Sequence, residues 1–307
     1  MNRRKALVTG AAGFVGRHTV AELESRGWEV SRCDINSPMT WTMRDFNDVT
    51  RWSTTRYDLV IHCAAVGAHR AAIDGQPYTF AQNMRLDSTL FEWAIRTKQR
   101  RVLYISSSAA YPIELQTEDY SDEYARLAED DIVLHDPQRP DGTYGVTKLT
   151  GEHLSAAARA AGVPVTVVRP FSGYGEDQGT EWPFGAFLNR IRQREMPFTI
   201  WGSAAQRRDW IHISDVVRGM LAIADGQQNG GFDEEPVNLC TGRATSMGDL
   251  ALLMMNAAGY DSMDIEVDDT KPMGVMNRVG DPNRFFDYYE PKVTIEEGVH
   301  RAIETRD

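Results

Sequence analysis

The sequence predicts an α/β fold, a doubly wound parallel sheet joined by a smaller lobe. Three observations predict it. Short apolar runs alternate with amphipathic helical patterns through the first half of the chain. Two of those runs, "VIHCAA" and "VTVVR", lack polar alternation, as strands buried on both faces should. The stretch "LVTGAAGFVG", residues 7–16, sets Gly10, Gly13 and Gly16 between the first strand and the first helix.

The elements follow in order. "KALVTG" reads as a strand, "FVGRHTVAELESRG" as an amphipathic helix ended by Gly27, and "WEVSRCD" as a second strand. "YDLVIHCAA" is a third strand, "PYTFAQNMRLDSTLFEWAIRT" a long helix and "RVLYISSS" a fourth strand. A helix around Tyr144–Ala161 precedes a fifth strand, "PVTVVRP". Strands joined through helices imply right-handed crossovers and a sheet covered on both faces. Beyond Pro170 the rhythm loosens, although "ISDVVRGMLAIADG" and "SMGDLALLMMNAAG" still read as helices with Ser caps and Gly ends. Residues 1–169, joined by about 210–240, are expected to form the larger domain, and residues 170–209 and 241–307 the second lobe. That lobe should cover the carboxyl ends of the strands, where such sheets bind ligands.

Composition limits the possible partners. A formal charge of −11 argues against nucleic acid or an anionic membrane surface as the main partner. No stretch reaches the roughly 20 apolar residues of a membrane span, and the apolar run after "MNRRKALV" breaks at Thr9-Gly10, too early for a signal core. Cys33, Cys63 and Cys240 lie far apart without metal-ligand spacing and read as buried reduced thiols, which suits a cytoplasmic setting. No metal site is expected.

The three glycines follow a strand and open a helix, the context of a dinucleotide cradle. Gly10 permits the tight turn, Gly13 admits a pyrophosphate and Gly16 lets helix and strand pack, with Phe14 and Val15 in the same turn. The helix amino terminus offers N–H groups and a positive dipole end to phosphate. Asp34 ends the second strand, 18 residues after Gly16, where a carboxylate accepts from a ribose 2′-OH and repels a 2′-phosphate. This predicts a Rossmann-like fold that prefers NAD to NADP, with Arg32 as the residue that opposes this preference.

"TYGVTK" puts Tyr144 and Lys148 four apart, on one face of a helix. A phenol is a poor base at neutral pH, and a neighbouring ammonium favours its ionised form. The pair suits proton exchange with an alcohol while hydride moves to or from a nicotinamide. "YISSSAAYP" places three serines where the fourth strand meets the crevice. A hydroxyl there can orient the reacting oxygen, while one or two of the three should cap or turn the next segment.

These motifs together resemble the extended short-chain dehydrogenase/reductases of the NAD-dependent nucleotide-sugar epimerase/dehydratase family, over nearly the whole chain. The resemblance rests on "TGAAGFVG", "HCAA", "QNM", "SSSAAYP", "YGVTK", "RPFSGYG", "RRDWIHISD" and "RVGDPNR". It implies Ser107 as the catalytic hydroxyl, with Tyr144 and Lys148 as base and partner, both also bordering the cofactor. It implies adenine contacts from Asp45 and Phe46, cofactor borders at Ala64, Ala65, Ser106 and Pro170, and Asn83 behind the nicotinamide. Ser108 and Ser172 would touch the substrate, and Arg208 and Arg278 would pair with its pyrophosphate, as a bidentate guanidinium can. A homodimer through the long helices around Asn83–Arg96 and Tyr144–Ala161 is also implied.

Departures narrow the activity. "AAVGAH", "AQNM", "SSSAAYP" and "TKPMGVMNR" resemble GDP-fucose synthase, yet Ala109 and Trp182 stand where that family has its epimerising Cys and His. Dehydratases and decarboxylases of the family carry acidic residues just after the catalytic hydroxyl, where this chain has Ser108 and Ala109. The minimal Ser–Tyr–Lys set suffices for a nucleotide-sugar 4-epimerase, resembling the UDP-galactose 4-epimerases, and equally for a 4-ketoreductase. Asp34 favours the epimerase, since that reaction recycles NAD within the site. A non-catalytic NAD-binding protein and a reductase of a non-nucleotide ketone are the other readings. His69, Arg70 and the acidic insertion Glu114–Asp141 are candidate linings of the sugar pocket, most of the insertion reading as a solvated loop.

Overall fold

The computed structural model describes residues 3–34, 54–66, 77–117, 126–136, 138–226, 235–271 and 273–305. Asp45 and Phe46, expected at the adenine, lie outside the described residues, as do His69 and Arg70.

Six parallel strands form the main sheet. In chain order they are β1 (Lys5–Thr9), β2 (Glu29–Cys33), β3 (Leu59–His62), β4 (Val102–Ile105), β5 (Val165–Pro170) and β9 (Val237–Leu239). Their spatial order is β2-β1-β3-β4-β5-β9, so the chain reverses direction across the sheet between β1 and β3. Such a switch point is where open sheets of this kind bind ligands, at the strand carboxyl ends.

Alternation along the strands divides two cores. On one face Ala6, Val8, Ile61, Leu103 and Val168 pack with Val20 and Leu23 of α1 (Phe14–Ser25) and with Val216, Val217 and Met220 of α5 (Ile213–Gly226). On the other, Leu7, Val60, Val102, Tyr104, Val165 and Val167 meet Leu90, Phe91 and Ala94 of α2 (Pro77–Thr97) and Ala158 of α3 (Gly142–Ala160). Both faces are covered, which is why these strands read as unbroken apolar runs.

The second lobe has its own apolar core, built from Phe184, Phe187 and Leu188 of α4 (Pro183–Arg192), Leu250 and Met254 of α6 (Met247–Ala257) and Val299 of α8 (Ile295–Glu304). Its sheet orders β10 (Ala244–Ser246), β8 (Arg207–His212) and β12 (Asn277–Arg278), with β6 (Ser172–Tyr174) paired to β8. β7 (Phe198–Trp201) pairs separately with β11 (Ile265–Asp268), and the short helix α7 (Asn283–Phe286) lies between β12 and α8 in the chain. Ser246 caps α6 through a reciprocal bond with Asp249, as its sequence predicts. Ser214, the other expected cap, lies inside α5 and its hydroxyl instead meets His212 Nδ1 at 2.8 Å. Cys33 and Cys240 are buried and Cys63 half-buried, and none of the three forms a disulfide.

The acidic insertion departs from a solvated loop over its described part. Leu127, Glu129 and Ile132 are buried. Leu127 N donates to Val279 O, Asn238 N to Glu129 Oε1, and Asn238 Nδ2 to Leu127 O. Two apolar residues and a polar network carry this stretch inside, despite the charges around it.

Candidate active site

At the switch point Gly10 adopts a φ of +65°, and a Cβ there would lie 2.7 Å from Ala64 N. Only glycine lets the β1 turn pass so close to the β3 turn. A Cβ at Gly16 would overlap Gly10 O, so the helix packs against its own entry turn. No side chain caps α1, so its first N–H groups are available to an anion. Asp34 is buried just after β2 and its Oδ2 accepts from Ala12 N at 3.0 Å, so it also pins the glycine turn. Arg32 is ion-paired with Glu24 at 2.6 Å.

Ala64 is buried and Ala65 exposed after β3, and the loop there is held by Asn83 of α2. The Asn83 amide bonds both Val66 N and Val66 O, at 2.8 and 2.9 Å. Burial pushes the Cys63 thiol up to about 12, so it is no nucleophile at neutral pH.

Beyond β4, Ser106 donates to Glu152 Oε1 at 2.5 Å, committing its hydroxyl proton away from any ligand. Ser107 caps a short 3-10 turn over Ser108–Ala110, accepting from Ala109 N at 3.1 Å. The candidate catalytic serine is thus itself the capping one, while Ser108 is buried. The first turn of α3 seats on this turn. Asp141 N donates to Ala109 O at 2.9 Å, and a Cβ at Gly145 would overlap the same carbonyl. The contact sets Tyr144 beside the Ser107 turn. One helical turn on, Lys148 is buried, donates to Ile105 O at 2.8 Å and stands 5.7 Å from the Tyr144 ring centroid.

From the second lobe, Ser172 opens β6, immediately beyond Pro170 and Phe171. The parallel register of β12 on β8 sets Arg278 beside Arg208, on one face of the sheet. Arg278 reaches the first lobe, donating to Gln116 Oε1 at 2.6 Å and Asp141 Oδ2 at 2.8 Å. Trp182 stands at the amino-terminal end of α4.

Two buried polar networks support this arrangement, and neither was read from the motifs. Arg169 forks onto Glu152 at 3.0 and 2.7 Å and also donates to Tyr111 Oη and Glu129 O. His62, Asp87 and Tyr104 form the second. A signal for each was present: Glu152 continues the Tyr144–Lys148 stripe by one more turn, and Asp87 interrupts an apolar stripe through Leu90, Phe91 and Ala94.

Residues 6–240 match the NAD dependent epimerase/dehydratase family. The chain belongs to that family. It is an enzyme of the extended short-chain dehydrogenase/reductase type. It is 28% identical over 304 residues to a dTDP-4-dehydro-6-deoxy-D-allose reductase of a Streptomyces species, covering 92% of this chain and 89% of that one. It is 27% identical to an uncharacterized UDP-glucose epimerase of Bacillus subtilis, covering 71% and 72%. Among solved structures, the UDP-glucose 4-epimerase of Thermotoga maritima with UDP-glucose superposes with a TM-score of 0.80 at 27% identity, covering 98% and 97%. MoeE5 in complex with UDP-glucose and NAD gives the same score and identity.

Proposed function

We propose that this protein is an NAD-dependent nucleotide-sugar 4-epimerase. One observation carries the choice of epimerase: Asp34, buried just after β2, favours NAD, which that reaction recycles. Tyr144, Lys148 and Ser107, with no carboxylate at positions 108 and 109, serve an epimerase and a ketoreductase alike. The uncapped α1, the glycine turn and Asp34 fit a dinucleotide, and Asp34 favours NAD. Bound NAD supplies a hydride acceptor, and then donor, at C4 of the sugar. Ser107 holds the C4 oxygen, while Tyr144 takes the hydroxyl proton and later returns it to the keto oxygen. The Lys148 charge favours that transfer. Arg208 and Arg278, with Ser172, grip the pyrophosphate, so the keto-sugar turns without leaving. The missing acid beside Ser107 leaves water elimination without its proton donor. The reading includes a cytoplasmic homodimer through the helices around Asn83–Arg96 and Tyr144–Ala161, supported by the exposed Val146.

A 4-ketoreductase is the second reading, favoured by two Streptomyces reductases at 28% and 27% identity. NMR of UDP-, dTDP- and GDP-sugars incubated with the protein separates the two. Epimerisation of C4-deuterated substrate with the label retained supports the first. Stoichiometric consumption of NADH or NADPH by a 4-keto-sugar supports the second, and inertness toward every nucleotide sugar refutes both.

A further inference from the structure

A chain of buried polar groups crosses from the glycine turn to the catalytic helix. Thr9 Oγ1, next to Gly10, lies 2.6 Å from His62 Nδ1. His62 Nε2 lies 3.0 Å from Asp87 Oδ1, and Tyr104 Oη donates to Asp87 Oδ2 at 2.6 Å. An ionised carboxylate only accepts, so His62 carries its proton on Nε2. All four side chains are buried. Lys148 Nζ stands 5.1 Å over the centroid of the same Tyr104 ring. A Cβ at Gly151 would overlap the Tyr104 hydroxyl, so α3 carries a glycine where the ring slides beneath it.

We propose that Asp87 is a positioning residue whose carboxylate is the counter-charge that holds the Lys148 ammonium in place under Tyr144. The inference rests on the Tyr144–Lys148 reading above. A buried ammonium needs an opposite charge close by, because the interior cannot solvate it. Among the described residues, two buried carboxylates bear on it: Glu152, one turn further along α3, and Asp87, which holds the hydroxyl of the Tyr104 ring that the ammonium stands over. Glu152 is forked onto Arg169 at 3.0 and 2.7 Å and is therefore neutralised. Asp87 receives a phenol and an imidazole N–H, and Lys148 supplies its positive charge. Burial alone would raise the Asp87 carboxyl, but the Lys148 ammonium, with the bonds from His62 and Tyr104, holds it below the ordinary Asp value. Among the described residues, the titratable groups facing this pair are His62 and Cys63 at the end of β3, Tyr104 of β4, and Tyr144 and Glu152 of α3.

The test is a double-mutant cycle in Asp87→Asn and Lys148→Met, read by thermal melting and, for Asp87→Asn, by the pH profile of turnover on the substrate found by NMR. Each single variant should lower Tm by about 4 °C or more, and the double by clearly less than their sum, since neither charge is then left alone. Asp87→Asn should also cut kcat at least tenfold with KM within twofold, and shift the alkaline limb of the profile down by half a pH unit or more. Additive melting changes, or an unmoved profile, would overturn the inference. Should Asp87→Asn alone not fold, folding of the double variant supports the inference and its failure overturns it. Lys148→Met retaining turnover would instead sink the catalytic reading, while the melting cycle still reports on the charge pair.

Discussion

Replacing Arg169 by Met should cost about 4 kcal/mol of stability, and the structure gives the reasons. The guanidinium is 1% exposed and makes four hydrogen bonds, two to Glu152 and one each to Tyr111 Oη and Glu129 O. Methionine fills most of the volume but leaves the Glu152 carboxylate, 2% exposed, with the Ser106 hydroxyl as its one remaining hydrogen-bond donor among the described residues. Removing one partner of a buried ion pair costs about 3–5 kcal/mol, chiefly through the charge left behind. Taking Glu152 away as well removes that charge, so Arg169→Met with Glu152→Leu should recover about half of the loss. Urea unfolding followed by circular dichroism reads both variants, with Tm falling on the order of 2 °C per kcal/mol in a chain of this size. A single variant within about 1 kcal/mol of wild type, or a double variant as costly as the two singles summed, would refute the reasoning. Because Ser106 leans on Glu152 and precedes Ser107, the single variant should also lose turnover.

Tyr144→Phe keeps the ring and removes the transferable proton, so turnover should drop at least about 10²-fold while the melting curve stays in place. NAD should bind at least about tenfold tighter than NADP, and Asp34→Ser should narrow that gap on titration. The same substitution frees Ala12 N, lost from a 3.0 Å bond, and should cost about 1 kcal/mol by melting. Burial pushes the Asp209 carboxyl up to about 6, against donors from Thr241, Gly242 and Gly280. The folded state therefore keeps a proton that the unfolded chain has released. This contribution is complete below about pH 4 and is lost as pH rises through 6, so Asp209→Asn should remove that slope from stability measured across the range.

The fold was legible because its signals are local. A glycine that must take positive φ, an apolar run without alternation and a helical stripe each fit within about ten to twenty residues. Those same signals located the glycine cradle, Asp34, and the Tyr144–Lys148 face. Arg208 and Arg278 are expected on one pyrophosphate only through the family resemblance, and the register that sets them side by side depends on how β12 adds to β8 across 70 residues.

By itself, then, the sequence determined the parallel sheet, the order of its elements and the chemistry-bearing side chains at its carboxyl edge. The tertiary structure alone decided how those side chains are held. Glu129 goes inside an acidic insertion because Asn238, 109 residues away, donates to it there. Arg278 is shared between the second lobe and Asp141, 137 residues earlier, at the start of α3. His62 and Asp87 meet because β3 and α2 pack on each other's buried faces. The physical reason is common to all three. Burying a charge or amide is tolerable only with its partner in place, and such partners are brought together by packing, which no local spacing records.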